Sequence, residues 1–420
     1  MRISTSEFLL GTLNDMLAQQ ANVNTLNREV ASGQTMLDAT VNPAGAGQAI
    51  GIAGTIGQLH YDAANAAAAT ETLQSGVGVL QQVDTVLTQL RQTAVQAANG
   101  TNNPDDLKSL AGVAQSALAQ LVQLANAKGP DGNFLFAGSR AGVAPFSLLP
   151  DGEVVFNGDA NVNSIEIAPS LSVPSSVAAA GVFTGLAAGN GGVAVAAAAG
   201  NTGNAYASAE GITSIAQVTA ERLAGTQYAI SFTAGAGGSL TYRVTSGTGA
   251  PGSAGFLASS GVVASGSFAP GSDLAFAGLD IRISGTPAAG DSFTVQPAAS
   301  TSIFAIAQRL VAALQNPGSG PGANAQTQQQ IQNVIADLDG AQTGVLSAQA
   351  TLGAGLAEIQ AVQGQTSQAA ANAQAQLSNL QSANLPQVLA SYSEGVTALQ
   401  AAQLAFARIQ NLTLFSVIKP

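Results

Sequence analysis

The sequence predicts an α+β protein in which helices from both ends of the chain form an elongated rod or coiled coil, with a mainly-β domain inserted between them. In the first and last thirds of the chain, apolar residues recur every three or four positions, which is typical of helices packed along one face. In the middle, short apolar runs alternate with Gly, Pro, Asn and Asp, which is typical of strands and turns. The two helical blocks therefore bracket a β region.

The first helix is predicted from Leu9, where an apolar stripe with two polar interruptions begins. Gly33 and the segment 42–45 (Asn-Pro-Ala-Gly) then break the pattern, and Asn42 before Pro43 is typical of an N-cap followed by the first turn of a helix. Residues 1–40 are accordingly predicted to be an N-terminal assembly helix. Its stripe consists of Leu9, Leu13, Met16, Gln20, Val23, Asn27 and Val30.

Two further helices are predicted within residues 41–130, as an antiparallel hairpin that forms the N-terminal part of the rod. Residues 99–104 separate them, because Gly, Pro and three Asn in six residues favour a turn. Asp105 and Asp106 follow where a helix start favours negative charge, and residues 129–132 end the hairpin. The two stripes are Leu80, Val83, Leu87, Leu90, Ala94 and Ala97, and Leu107, Leu110, Ala114, Ala117, Leu121 and Leu124.

Residues 131–300 are predicted to form the inserted β-rich domain. Residues 176–208 are rich in Ala, Gly, Val and Asn and are predicted to be irregular. The predicted strands lie at 134–136, 154–156, 165–167, 228–232, 240–244, 279–283 and 293–295.

Helices return after residue 300. Residues 301–384 are predicted to be the C-terminal part of the rod, with a loop at 317–322, and residues 385–420 a C-terminal assembly helix. The stripe of the first part runs through Ile331, Ile335, Leu338, Gln342, Val345, Gln349, Leu352, Leu356 and Ile359, and that of the assembly helix through Leu385, Leu389, Tyr392, Val396, Leu399, Gln403 and Phe406. Both terminal helices are too rich in Ala and Gln to be stable alone, so they are expected to await a partner.

The composition excludes several classes of function. The chain has 420 residues and a formal net charge of -11, and only 8% of its residues are charged, against about 25% in ordinary proteins. Binding to nucleic-acid phosphates needs clustered Lys and Arg, which are absent. The surface must be solvated by Gln, Asn, Ser and Thr, which suits a surface that is covered by other molecules or lies in salt outside a cell.

Catalytic, cofactor and metal sites are not predicted. The chain has no Cys and a single His, His60, which excludes thiolate chemistry, a His-based triad and a site of several His ligands. Residues 247–252 match G-x-G-x-x-G, but Pro251 disfavours the helix that a dinucleotide site requires, so they are predicted to form a turn. Asp337 and Asp339 lack the other ligands of a calcium loop and are predicted to lie on a solvated helix face or at a local break.

The N-terminal sequence lacks the continuous apolar run and cleavage site of a signal peptide, and no segment approaches the roughly 18 consecutive apolar residues of a membrane helix. The sequence therefore predicts no membrane insertion, and either a cytoplasmic protein or one exported without cleavage.

Several segments, taken in their order and spacing, resemble the bacterial flagellin family. These are the start at residues 1–5 (Met-Arg-Ile-Ser-Thr), the helix start with Asn42, Pro43 and Gly45, the turn with Phe134, Phe136 and Gly138, the strand-turn-strand unit with Gly285, Pro287, Gly290 and Asp291, and the C-terminal segment with Leu412 and Phe415. Within that family, the chain is most similar to proteins of the junction between hook and filament. The resemblance covers residues 1–140 and 300–420, together with the β segment at 285–295.

The resemblance implies a structural role, in which the terminal helices self-assemble and connect the hook to the filament. It also implies export through the flagellar type III apparatus without cleavage, an extracellular location, terminal segments that order on assembly, and a β domain that faces outward. The implied partners are an adjacent hook-associated protein, flagellin, further copies of the chain in a helical ring, and an export chaperone. Leu412 and Phe415 join the assembly stripes by the same resemblance.

Three other functions remain open at this point. The chain could be flagellin itself, because residues 385–389 resemble the last residues of many flagellins. A coiled-coil adhesin displayed on the cell surface is a second alternative, although it would need an anchor or an export signal. An enzyme is the third alternative, and the sequence offers no constellation of residues for it.

Overall fold

The computed structural model describes residues 5–35, 42–150, 152–235, 238–253, 255–256 and 260–417, and for residues 5, 6, 8, 9 and 409–417 it describes the helical backbone alone. The chain divides into two compact units. The terminal unit comprises Met1–Ala64 and Val362–Pro420, and the central unit comprises Asn65–Ala361. The predicted α+β class, with long terminal helices and a β region in the middle of the chain, is confirmed.

The terminal unit pairs the first and last helices of the chain. Helix α1 (Thr5–Ser32) ends where Gly33 adopts a positive φ of 69°, a conformation that favours glycine. The extended residue Gln34 forms an antiparallel bridge with Ser382, directly before the last helix, α7 (Leu385–Val417). The two helices therefore run antiparallel from this bridge.

Two long helices pass through both units, and two shorter ones belong to the central unit. They are α2 (Pro43–Ala97), α6 (Pro321–Gln381), α3 (Pro104–Ala125) and α5 (Ile303–Gln315). The apolar stripes predicted their buried faces correctly, since Leu80, Leu87 and Leu90 are inaccessible to solvent. The buried residues of the α6 stripe are Ile331, Leu338, Val345, Leu352 and Ile359.

Helix α3 begins as the sequence predicts. The side-chain oxygen of Asn103 accepts the N–H groups of Asp105 and Asp106 at 2.9 and 3.0 Å, and the Asp106 carboxylate accepts the Asn103 N–H at 3.0 Å. This capping box satisfies backbone donors that a helix start leaves open. Both aspartates therefore serve the helix start.

The β region forms antiparallel sheets. Its strands are β1 (Phe146–Leu148), β2 (Val154–Phe156), β3 (Ser164–Ala168), β4 (Leu171–Pro174), β5 (Leu186–Ala187), β6 (Val193–Ala197), β7 (Tyr206–Ile212), β8 (Thr226–Ala234), β9 (Leu240–Thr248), β10 (Gly261–Ser267), β11 (Asp273–Phe276), β12 (Leu279–Ser284), β13 (Ser292–Pro297) and β14 (Ser300–Thr301). The larger sheet has the strand order β10-β9-β8-β13-β6, and a three-stranded sheet has the order β11-β12-β7. Helix α4 (Ile215–Leu223) lies between β7 and β8 in the chain.

The core of the β region consists of alternating residues on strands of both sheets. It includes Ile230, Phe232, Val244, Ile281, Ile283, Phe293 and Val295, all inaccessible to solvent. Phe232 contacts Phe268 edge to face, with ring centroids 5.1 Å apart. The alternation explains why the strands at 228–232, 240–244, 279–283 and 293–295 could be predicted.

Two predictions about the β region are wrong. Residues 176–208 are not irregular throughout, because β5, β6 and the start of β7 lie there, and Val193 and Val195 are buried in the sheet. Residues 134–136 form a turn with one bridge between Lys128 and Phe134, where a strand was predicted. Leu135 and Phe136 are both buried, so the alternation of a strand is absent there.

None of the helices in the described part of the chain is long and apolar enough to cross a membrane. This agrees with the interrupted apolar runs of the sequence.

Candidate assembly site

The packing of α1 against α7 is closest at Gly395. A Cβ atom at this glycine would lie 3.0 Å from Cγ2 of Val23, which is tighter than ordinary contact. The amide of Gln19 donates to the Gly395 carbonyl at 3.4 Å. The absence of a side chain at 395 therefore lets the two helix backbones approach.

The structure separates the predicted assembly residues into two groups. Those at the helix pair are partly buried, namely Met16, Val23, Val30, Tyr392, Val396, Leu399 and Phe406. Leu13, Leu385 and Leu389 are exposed, Leu389 to 50%. The side chains of Leu9, Leu412 and Phe415 lie outside the described residues.

Helix α1 exposes an apolar stripe of which the sequence reasoning named only Leu13 and missed Leu10 and Leu17. Leu10, Leu13 and Leu17 follow at three and four positions and share one face, with exposures of 60%, 38% and 55%. This open stripe lies beside the stripe of Met16, Val23 and Val30 that faces α7. The signal for the open stripe was the three- and four-residue spacing of these leucines. It was overlooked because only one stripe was assigned to each helix.

Other large apolar side chains in the terminal unit are also exposed. Leu404 on α7 is 65% exposed, and Ile50 and Tyr61 on the first part of α2 are 73% and 72% exposed. Apolar side chains exposed side by side, as Leu10, Leu13 and Leu17 are, mark interaction surfaces, whereas singly exposed ones are ordinary. The terminal unit therefore has more apolar surface than its own packing covers.

The segment with Asn42, Pro43 and Gly45 starts helix α2. The Asn42 side chain accepts the Gly45 N–H at 2.9 Å, and its carbonyl accepts the Ala46 N–H at 3.0 Å. A Cβ atom at Gly45 would lie 2.5 Å from the Asn42 amide nitrogen, so glycine leaves room for the cap. These residues act as a local helix start.

The turn that contains Phe134, Phe136 and Gly138 anchors the chain between helices and strands. Phe136 is fully buried and meets Phe183 edge to face at 4.8 Å, while Phe134 lies under the Lys128 ammonium group at 4.8 Å. Gly138 has a φ of +68°, and a Cβ atom there would collide with Asp159.

The carboxylate of Asp159 holds this turn. It accepts the N–H groups of Ser139 and Asn161 at 3.0 and 2.9 Å, and the Ser139 hydroxyl also donates to it. The hydroxyl, followed by the Ser139 N–H, lowers the pKa of Asp159. The turn therefore depends on an ionised carboxylate.

Asp291 performs a similar task in the strand-turn-strand unit. It is 2% exposed and accepts the N–H groups of Ala288, Thr202 and Gly203 at 2.8, 2.8 and 3.0 Å. Pro287 is buried, and Gly285 and Gly290 have φ values of +82° and +97°. The unit is thus fastened to the loop that follows β6.

The acidic pair of helix α6 differs from its prediction. Asp337 is buried, and its carboxylate lies 2.6 Å from the Arg309 guanidinium on α5 and also accepts the Gly189 N–H. Burial raises the pKa of Asp337, and the Arg309 charge opposes that rise. Asp339 is half-exposed and pairs with Arg91. The prediction of a solvated face is therefore wrong for Asp337.

Other candidate residues have structural positions. Residues 247–252 form the end of β9 and the turn after it, as predicted, and His60 is exposed on α2. Within the described part of the chain, His, Asp and Glu side chains form no group of three that could hold a metal ion. The feature of the described residues that stands out as a candidate site is the helix pair with its uncovered apolar surface.

Comparison with known proteins first defines the class. Residues 3–141 match the model of the bacterial flagellin N-terminal helical region. Phase 1 flagellin of Salmonella naestved is 28% identical over 124 residues, which are 30% of this chain and 25% of the flagellin. The resemblance to the bacterial flagellin family is thus confirmed.

The chain is also similar to proteins named flagellar hook-associated protein 3. The protein of that name from Salmonella typhimurium is 30% identical over 152 residues, covering 36% of this chain and 48% of the relative. The aligned region therefore spans about half the length of that curated relative. A solved structure described as the flagellar junction protein FlgL from Legionella pneumophila is 29% identical, with a TM-score of 0.69 over 80% of this chain and 99% of the other. FlgL from Xanthomonas campestris is 28% identical, with a TM-score of 0.65 over 77% and 97%.

Proposed function

We propose that the chain is a structural subunit of the bacterial flagellum that joins the hook to the filament, and that it has no enzymatic role. The observation that carries the proposal is the terminal helix pair, whose open stripe of Leu10, Leu13 and Leu17 is uncovered in the single chain. The structural similarity to the flagellar junction protein FlgL over 80% of the chain supports this function.

Assembly proceeds through residues 1–40 and 385–420. The stripe of Met16, Val23 and Val30 faces α7 within one copy, and the open stripe contacts the next copy. The predicted assembly residues of this proposal also include Leu9, Leu412 and Phe415. The contact is head to tail in this proposal, with the open stripe of one copy on a different surface of the next, and such contacts generate a helical ring.

The partners in this proposal are the other axial proteins of the flagellum. An adjacent hook-associated protein lies on one side of the ring and flagellin on the other, and an export chaperone covers the terminal helices before assembly. The chain is exported without cleavage and acts outside the cell, where the inserted β domain faces outward. Few charges are needed on a surface that is largely covered after assembly.

Flagellin is the second candidate, because flagellins also match the chain, although over a smaller part of their own length. Immunogold electron microscopy separates the two functions. Labelling confined to the boundary between hook and filament is expected for the junction protein. Labelling along the whole filament would contradict the junction proposal and identify a filament subunit.

A further inference from the structure

The two outer edges of the five-stranded sheet differ. At the β6 edge, the Asn333 side chain of α6 donates to the Val195 carbonyl at 2.8 Å. One turn earlier on α6, Gln329 accepts the N–H of Ala207 on β7 and donates to its carbonyl, both at 2.7 Å. Side-chain amides of one helix thus take hydrogen bonds that a further strand would otherwise make.

Another edge is protected by charge. Strand β11, at the end of the three-stranded sheet, carries Asp273, whose carboxylate accepts two hydrogen bonds from Arg282 at 2.7 and 3.1 Å. A charged pair on an edge strand opposes pairing with another chain, because pairing would cost its hydration.

Strand β10 lacks both kinds of protection in the described part of the chain. It pairs with β9 on one side, and its seven residues are Gly, Val, Ala and Ser, with no charge and no proline. Val262 and Val263 are 52% and 41% exposed. The register shifts between Val262 and Ala264, but the pairing is regular from Ala264 to Ser267. Natural edge strands are usually protected by charges, proline, a β-bulge or a covering element, and in β10 only the irregularity between Val262 and Ala264 is of this kind.

The direction of the free backbone groups follows from one hydrogen bond. The N–H of Phe268 donates to the Leu240 carbonyl at 2.8 Å, directly beyond the last pair of the ladder. Antiparallel pairs alternate between bonded and non-bonded positions, so Gly266 and Ala264 bond to β9. Ser265 and Ser267 therefore direct their N–H and carbonyl groups away from the sheet.

We propose that β10 is a self-association edge, which pairs antiparallel with β10 of a second copy of this chain. An antiparallel edge is complementary to itself, because each copy offers the same alternating donors and acceptors about a twofold axis. The net charge of -11 opposes contact between copies in general, but β10 carries none of that charge. The Gly and Ser side chains also allow close approach.

The size of this contact determines when it forms. Seven residues per strand bury far less than the roughly 1,200 Å² at which stable interfaces begin. The pair is therefore weak in dilute solution and forms where copies are concentrated, strengthening as salt screens the negative charges. It concerns the β domain alone and does not depend on the proposed flagellar role.

Disulfide trapping tests this inference, because the full chain has no cysteine of its own. Single-cysteine chains Val263→Cys, Ser265→Cys and Ser267→Cys are oxidised mildly over a range of concentrations. The matched control is Ser300→Cys, an exposed serine on β14. One β10 position is expected to give at least fivefold more covalent dimer than the control, because paired strands bring Cα atoms within disulfide range.

A second substitution shows whether the backbone edge causes the trapping. Ser265→Pro removes an outward N–H without removing a bond to β9, whereas Ser265→Thr keeps it. In whichever of the Val263→Cys and Ser267→Cys backgrounds traps more dimer, the proline is expected to reduce dimer to the control level and the threonine to leave it unchanged. If the Ser265→Pro variant melts at a lower temperature than its parent, Ser265→Lys is used in its place. Equal trapping at β10 and Ser300, trapping that survives both Pro and Lys, or trapping of a foreign protein in place of a second copy would overturn the inference.

Discussion

Two aspartates on one helix show how position alone determines the role of a residue. Asp337 and Asp339 lie two positions apart on α6, so they point to different faces. Asp337 is 2% exposed and pairs with Arg309, while Asp339 is half-exposed and pairs with Arg91. The sequence could place both on a helix, but burial depends on α5 and the loop before β6, which only the fold brings to Asp337.

Arg309→Met is expected to destabilise the protein by about 1–3 kcal/mol at pH 7, because it leaves the buried Asp337 carboxylate without its counter-charge. The folded pKa of Asp337 is raised, so its stabilising contribution is present below the unfolded pKa of about 4 and is lost as the pH rises through the folded value. Removing Arg309 raises that pKa further. Denaturant unfolding should therefore show a larger loss of stability at pH 7 than at pH 4.

Arg91→Met is the matched control for this prediction. It breaks the ion pair between Arg91 and Asp339, whose side chains are 42% and 50% exposed, respectively. Exposed pairs of this kind contribute about 0–1 kcal/mol to the free energy of unfolding. Its effect should be small and nearly independent of pH. Equal losses for the two variants would show that burial of Asp337 has no energetic consequence.

At the scale of elements, the stripes predicted long helices well and irregular segments poorly. Buried Leu80, Leu87 and Leu90 repeat at helical spacing, so their face could be read directly. Residues 176–208 gave no such signal, because strand β6 consists of three alanines and two valines. Its place in the sheet depends on pairing with β13, about 100 residues later. Long-range pairing of small side chains leaves little trace in local sequence.

Leu17→Asp is expected to prevent assembly while leaving the stability of the isolated chain within about 0.5 kcal/mol. Leu17 is 55% exposed, so the change costs little in the single chain. In the assembled state it would place a charge in an apolar contact, at a cost of several kcal/mol. Thermal unfolding and filament attachment in a complemented deletion strain measure the two effects.

Asn22→Asp provides the control for Leu17→Asp. Asn22 is an exposed polar residue five positions later on the same helix, on a different face from Leu10, Leu13 and Leu17, and its substitution adds the same charge. It should support normal filaments. If Leu17→Asp also does so, the open stripe makes no contact needed for assembly.

At the scale of the whole molecule, the inserted sheets can be removed where the two chain segments that connect them to the helices lie side by side. Strand β14 pairs with β5, and the N–H of Ala188 donates to the Ala299 carbonyl at 2.9 Å, so the chain enters and leaves the sheets at adjacent points. Replacing residues 191–297 with two glycines is expected to keep the helices folded and to retain at least partial assembly. Far-UV circular dichroism and electron microscopy of complemented cells measure these outcomes.

A wider excision serves as the comparison. Removing residues 150–298 would also remove Phe183, which contacts Phe136 and lies 6.1 Å from Phe304 on α5, and should lower the melting temperature of the helical part. A folded, exported 191–297 deletion that fails to assemble would show that the sheets contribute essential contacts.

The central claim is that this chain connects the hook to the filament, and electron microscopy of a clean deletion strain tests it most directly. Hooks of normal length without filaments, with flagellin released into the medium, are the expected result. Restoring the unaltered chain should restore filaments. A deletion strain that carries normal filaments and swims normally would contradict the claim.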